Sequence, residues 1–221
     1  MMRYSAGMSS LTLHVLDARG TLADIRAWLC DALTATHEKA AALMPLRPLD
    51  VVVQSGRWVI HEKGHVGRSP KPGVIFVTVD PGNPALLPNA DMSLERMFAH
   101  ELHHAARWDG PGYGSSLGEA LVSEGLAGHF VQELFGGPPE PWERLPDDDI
   151  RPHSARVADE WDRKDYNHEA WFYGRGDLPR WLGYSVGFRL IEKFLQDHPS
   201  SRAATLAETS AQEFRPTLKL L

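Results

Sequence analysis

Cysteine is almost absent from this chain. Cys30 is the single cysteine in 221 residues, so no disulfide can close within the chain and a thiolate zinc cluster is excluded. Within a helical pattern it reads as a small buried apolar residue. Long hydrophobic runs are missing too, since no stretch approaches the roughly 20 apolar residues needed to cross a bilayer. Residues 1–10 are small and polar, without the apolar segment of a secretory leader. Positive charge is in deficit: 23 Lys and Arg against 29 Asp and Glu give a net charge of −6. No basic cluster offsets this, which argues against a general nucleic-acid binder. These absences lead to the expectation of a cytoplasmic protein with neither membrane nor nucleic acid as a partner. They leave the oligomeric state open.

What is present is an ordinary globular composition, 43% apolar and 24% charged, in a chain long enough for one well-buried core or two small lobes flanking a cleft. Leu11–Leu16 alternates and is rich in β-formers, so it reads as a strand. Residues 21–44 carry a long helical pattern, stopped by Pro45 and Pro48. Residues 51–54 and Val74–Val79 are β-branched runs bounded by Gly and Pro, and residues 58–73 between them read as a hairpin or flap. From Ser93 the chain turns helical. One helix is expected over Ser93–Trp108 and a second over 116–135, joined by a tight Gly-rich connection. A surface loop over 136–149, a polar helix over 151–165 and an amphipathic helix over 181–196 follow. The fold class is therefore α+β, a small mixed sheet and then a helical half. The expected organisation is one domain over 1–221, with an α/β part over about 8–108 and a helical part over about 109–221.

The chemistry concentrates in His100-Glu101-Leu102-His103-His104. On a helix, His100 and His104 lie one turn apart, so both rings can reach one metal ion, and Glu101 sits beside them as a carboxylate able to take a proton from metal-bound water. That is the pattern of a zinc hydrolase, most often a metallopeptidase. A helical projection places Leu94, Met97, Phe98, Leu102 and Ala105 on one apolar stripe. His100 and His104 fall about 40° apart on its shoulder, and Glu101 nearer its centre. His103 points away from both, as a surface residue or an outer neighbour of the site.

A second copy of the motif, His61-Glu62-Lys63-Gly64-His65, has Gly64 in its middle and Gly56, Gly67, Pro70 and Pro72 around it. A glycine costs about 1 kcal/mol in a helix, and no apolar periodicity offsets it here. Without a helix the two histidines lose their common face, and this copy reads as accidental. The third ligand separates the copies, because a catalytic zinc usually takes three protein ligands and leaves one position for water. On the expected return helix, Leu117, Ala120, Leu121, Ala127, Gly128, Val131 and Phe135 form an apolar stripe with Glu124 at its centre. A carboxylate there is costly unless neutralised. A metal would neutralise it, and a buried salt bridge to arginine is the alternative. A short connection between the helices puts Glu124 near the level of His104. Glu119 projects to the polar face.

His100-Glu101-Leu102-His103-His104, followed by Glu119-Ala120-Leu121-Val122-Ser123-Glu124-Gly125-Leu126-Ala127, resembles the gluzincin pattern, in which a glutamate beyond the second histidine completes the zinc site. It is more closely similar to a bacterial family of unknown function described only as predicted zinc-dependent proteases. Trp171-Phe172-Tyr173-Gly174 and the segment from Pro179 to Gly187 share that likeness, which covers roughly residues 51–195. The resemblance implies a zincin-like fold: a small sheet, the zinc helix below its edge strand, and a helical lobe closing a cleft. Ser123 departs from the asparagine of the best-known gluzincins.

The expected function is peptide-bond hydrolysis, of endopeptidase or aminopeptidase type, on a peptide or protein substrate. One Zn2+ per chain, held by His100, His104 and Glu124, would acidify its water, and Glu101 would act as general base and return the proton to the leaving amine. Tyr184 is the candidate donor to the developing oxyanion, against a plain reading as a core tyrosine. His168 and Arg180 are weaker alternatives. Val74–Val79 is expected as the edge strand that pairs with an extended substrate. The rival class is a catalytically silent zincin that uses the metal hairpin as a scaffold for binding or regulation. A third reading is a helical bundle with accidental histidines.

Overall fold

A computed structural model of the chain describes residues 10–86 and 92–221. The polar stretch at the start lies, apart from Ser10, outside the described residues. Contacts divide the chain between Ala106 and Arg107 into two compact units.

The first unit holds a four-stranded mixed sheet of β1 (Leu11–Leu16), β2 (Leu49–Ser55), β3 (His65–Lys71) and β4 (Val74–Val79), in the order β1-β2-β4-β3. β1, β2 and β4 run parallel, and β3 is antiparallel to β4. Parallel neighbours need a crossover, which α1 (Arg26–Ala41) provides between β1 and β2. Its buried Leu29, Leu33, His37 and Ala40 recur at helical spacing. The helix is shorter than the sequence pattern at both ends. Before it, residues 17–25 are mostly turns, in which the Asp17 carboxylate accepts the Leu22 amide at 2.9 Å. Asp17 thereby takes up a backbone donor that would otherwise continue the helix.

The β3–β4 connection is a two-residue turn at Pro72 and Gly73, with Gly73 at φ 73°, the backbone that a type II turn assigns to glycine. This hairpin corrects the expected role of Val74–Val79. β4 is paired on both sides, and β3 is the edge beside it. Its alternate residues Ile75, Val77 and Val79 are fully buried, as befits an internal strand. At the start of β3, His65 Nε2 lies 2.8 Å from Ser93 Oγ, and both residues are buried. The second His-Glu-x-x-His copy is therefore no helix: residues 61–64 form a turn, with Gly64 at φ 72°. The chain leaves this unit through α2 (Ser93–Trp108).

The second unit is helical. α3 (Leu117–Phe135) begins with a capping box in which the Ser116 side chain accepts the Glu119 amide and the Glu119 side chain accepts the Ser116 amide. It is buried on nearly every side from Leu117 to Gly128, the pattern of a central helix. The short helices α4 (Asp147–Ile150), α5 (Ser154–Glu160) and α6 (His168–Tyr173) lead to α7 (Leu182–Asp197). The expected single helix over 151–165 is a 3₁₀ turn at Arg151–His153 followed by α5, because Pro152 at the first turn tightens the start. The segment 136–149 is likewise not all loop, since it contains a 3₁₀ turn at Pro141–Glu143 and the start of α4. No helix among the described residues is long and apolar enough to cross a membrane.

α3 and α7 meet through glycine. A Cβ on Gly125 would collide with the Gly187 carbonyl, and one on Gly187 with the Leu121 carbonyl. Gly125→Ala should therefore destabilise the protein by about 1–3 kcal/mol, read as a lower urea midpoint, and an unchanged midpoint would contradict this packing. One turn further along the same face of α3, His129 stacks on Phe188 of α7 and its Nε2 lies 3.0 Å from the Phe188 carbonyl. Burial lowers the His129 pKa, and the Phe188 carbonyl and Glu192 only partly oppose that. A depressed histidine contributes stability that is present above the unfolded value of 6.5 and lost as pH falls toward the folded value. Urea midpoints should drop between about pH 7 and pH 5, and His129→Asn should flatten part of that slope.

Candidate metal centre

α2 is amphipathic enough to fix which way its histidines face. Leu94, Phe98 and Leu102 are fully buried and Ala105 nearly so. Glu95 in the first turn and Arg107 in the last oppose the helix dipole favourably. From Glu101 to Arg107 every residue is buried, so this stretch has no solvated face at all. That corrects the reading of His103 as a surface residue, since its exposure is 0%. The nitrogens of His100 and His104 approach to 3.0 Å at Nε2, with ring centroids 4.6 Å apart and planes at 84°. Two nitrogens on one tetrahedral zinc, each at about 2.0–2.1 Å, are separated by roughly 3.3 Å. The pair thus already stands near the spacing that an ion requires.

Glu101 is buried at 8% exposure. It stands against the edge strand β3, where a Cβ on Gly67 would meet Glu101 Cγ at 2.6 Å and collide with Met97 Sδ. Glycine at 67 makes room for the carboxylate beside the strand.

Glu124 lies on the face of α3 that its apolar neighbours define, and is 7% exposed. One ligand atom from each of His100, His104 and Glu124 lies within 4.8 Å of the others. Among the described residues this is the group of three or more His, Cys, Asp or Glu side chains able to hold an ion. Two imidazole nitrogens and one carboxylate oxygen are the donor set of a catalytic zinc with an open fourth position, so the residues present fit that metal. His61, His65 and His103 are not members of the group.

Around Glu124 the second unit supplies a polar web. The Tyr113 hydroxyl donates to Glu124 Oε1 at 2.8 Å. Burial, with the Glu124 charge adding to it, pushes the Tyr113 phenol well above its ordinary value, so it remains a donor. Ser123 donates to the Tyr113 carbonyl at 2.8 Å and accepts from Arg107 Nε at 3.0 Å. Arg107 also donates to the Ala207 and Thr209 carbonyls, both at 3.1 Å. Burial pulls its guanidinium down to about 10, which leaves it charged at neutral pH. Glu119 serves the helix cap, accepting the Ser115 and Ser116 amides at 2.7 and 2.9 Å. Burial raises its pKa, but those amides outweigh it and the net direction is downward.

Tyr184 lies in the first turn of α7, edge-on to Phe172 with centroids 5.0 Å apart. Phe172 stacks in turn on His168, and His168 Nδ1 is 3.0 Å from the Tyr166 hydroxyl. Burial raises Tyr166 to about 12, with the Glu124 and Glu119 charges adding to it. Burial lowers His168 against the opposing pull of Glu124 and Glu169. Arg180 is exposed and covers the Trp181 ring at 4.3 Å. Tyr113 and Tyr166 are neighbours of the site that sequence pattern does not single out. Tyr113 carried one usable signal, an aromatic residue enclosed by Gly112 and Gly114. Tyr166 carried none.

Residues 30–215 match the family described as "Predicted Zn-dependent protease". The chain belongs to that family. Two relatives from Bacillus subtilis (strain 168) are similar to it. Uncharacterized protein YjfC is 33% identical over 154 residues, covering 62% of this chain and 50% of the relative. Uncharacterized protein YjaZ is 28% identical over 131 residues, covering 52% and 47%. The chain thus spans about half the length of the curated relatives it matches. The family description together with the His-His-Glu group points to zinc as the metal.

The group makes a direct prediction for metal content. Purified protein should carry zinc, and Glu124→Ala or His104→Ala should lose it. Glu119→Ala and His61→Ala should keep it, since Glu119 caps a helix and His61 lies in a turn. Elemental analysis of the five proteins reads this, and zinc retained in both ligand variants would dismiss the site.

Proposed function

We propose that this protein is a zinc-dependent peptidase with a zincin-like fold, in which His100, His104 and Glu124 hold one Zn2+ per chain and Glu101 is the general base. The observation that carries this reading is the meeting of three donor atoms within 4.8 Å, with a buried carboxylate at the position directly after the first histidine. A purely structural zinc site is closed by four protein ligands and has no use for a base at its side. That consideration favours an enzyme over a silent scaffold. Zinc, when bound, supplies Lewis acidity that polarises a carbonyl and makes a water acidic near neutral pH.

The remaining work falls to the chain's own groups. Glu101 takes the proton from the attacking water at a carboxylate oxygen and delivers it to the departing amine nitrogen. Tyr184 is proposed as the hydroxyl that donates to the developing oxyanion, oriented by its edge-on contact with Phe172. β3 takes the role first expected of β4: it ends the strand order on that side of the sheet among the described residues, the position at which an extended peptide adds to a sheet. Gly67 on that strand abuts Glu101, so a peptide added along β3 would run close to the base. The single cysteine and the polar composition support a cytoplasmic setting with a peptide or protein substrate.

Glu101→Gln keeps the side-chain shape and removes the base. It should retain zinc yet lose peptide hydrolysis by at least about 100-fold, measured on an unstructured protein substrate and a mixed peptide library. Undiminished turnover would remove Glu101 from the mechanism, and no turnover by the wild type on any substrate would favour the silent scaffold.

A further inference from the structure

Resting on the zinc reading of the His100, His104 and Glu124 group, we propose that Tyr113 is the positioning residue for the Glu124 carboxylate. Its phenol holds Oε1 and so fixes the orientation in which the carboxylate would meet the ion. A glutamate reaches its target through three rotatable bonds, and a ligand oxygen that wanders binds metal weakly. Outer partners that fix a ligating side chain are a general requirement of metal sites.

Tyr113 is unusually well fixed for a residue in a helix connection. Its hydroxyl donates to Glu124 Oε1 at 2.8 Å, while its carbonyl accepts from the Ser123 hydroxyl at 2.8 Å. Ser123 and Glu124 are consecutive on α3, so one grips the backbone of Tyr113 and the other its far end. Ser123 is itself oriented by Arg107 Nε at 3.0 Å. The Gly112 amide donates to the Arg107 carbonyl at 2.8 Å. Gly112 and Gly114 take φ 79° and 97°, conformations that a side chain strongly disfavours. A Cβ on Gly114 would also collide with the Glu119 side chain. Arg107, Ser123 and Tyr113 thus form one hydrogen-bonded chain that ends on the proposed ligand. A tyrosine needed only for packing would leave its hydroxyl without a place in such a chain.

The test measures zinc affinity by competition with a chromogenic chelator, alongside the melting temperature of the metal-free protein and the visible spectrum of the cobalt-loaded form. Tyr113→Phe should weaken zinc roughly 10- to 100-fold, change the cobalt spectrum, and leave the metal-free melting temperature within a few degrees. Ser123→Ala, which releases the Tyr113 carbonyl without touching Glu124, should weaken zinc several-fold. It also serves as the second variant should Tyr113→Phe fail to fold. Zinc affinity equal to wild type in the folded variants overturns the positioning role while leaving the zinc site standing. A wild-type protein that binds no zinc overturns both.

Discussion

A carboxylate buried in the apolar face of its own helix is the constraint on which this structure turns. Glu124 is surrounded on α3 by fully buried Ala120, Leu121 and Ala127, where an ionised group is unstable unless other groups compensate it. The chain answers with a phenol, a serine and a buried arginine arranged in sequence, and with two histidine nitrogens near the carboxylate. Stability alone would be better served by leucine at this position, because filling the site with apolar atoms needs no compensation. A carboxylate held there by such a web is the feature on which the proposed zinc site rests.

Close helix contact serves the same end. Gly125 and Gly187 let α3 and α7 approach until backbone meets backbone, and this contact begins one residue after Glu124. It brings the first turn of α7, with Tyr184, into the ring sequence of Phe172, His168 and Tyr166. Every member of that sequence can pack and, except for Phe172, can also donate a hydrogen bond. The burial that raises the Tyr166 phenol and lowers His168 keeps these two groups neutral, in the form suited to donate.

In the first unit, the sheet sets what stands beside Glu101. Insertion of the β3 hairpin outside β4 moves the edge of the sheet one strand away from the apolar run that reads most clearly as a strand. The hairpin departs from periodicity because β3 contains Gly67, Ser69 and Pro70, residues that weaken a central strand and are tolerated at an edge. His65 secures its start to Ser93 at the head of α2. One histidine of the apparent second motif is thus used to fasten the strand to the helix that carries the first.

The sequence by itself determined the elements whose burial follows a single period. Leu11–Leu16, Val74–Val79 and Ser93–Trp108 form as their patterns require, since alternation or helical spacing alone satisfies their backbones. It also determined the short list of ligand candidates, because two histidines four apart and an acid inside an apolar stripe are chemically unusual wherever they fold. It did not determine which strand is the edge, because β4 reads the same whether one neighbour or two pair with it. The burial of His103 was equally hidden, since a polar residue gives no local sign that its helix is covered on several sides. Nor was Tyr113 legible as the partner of Glu124. That pairing depends on a loop held at φ 79° and 97° by flanking glycines, and on a hydrogen bond between residues 11 positions apart. Local propensity sees neighbours along the chain, whereas a contact of this kind exists only after helices have packed.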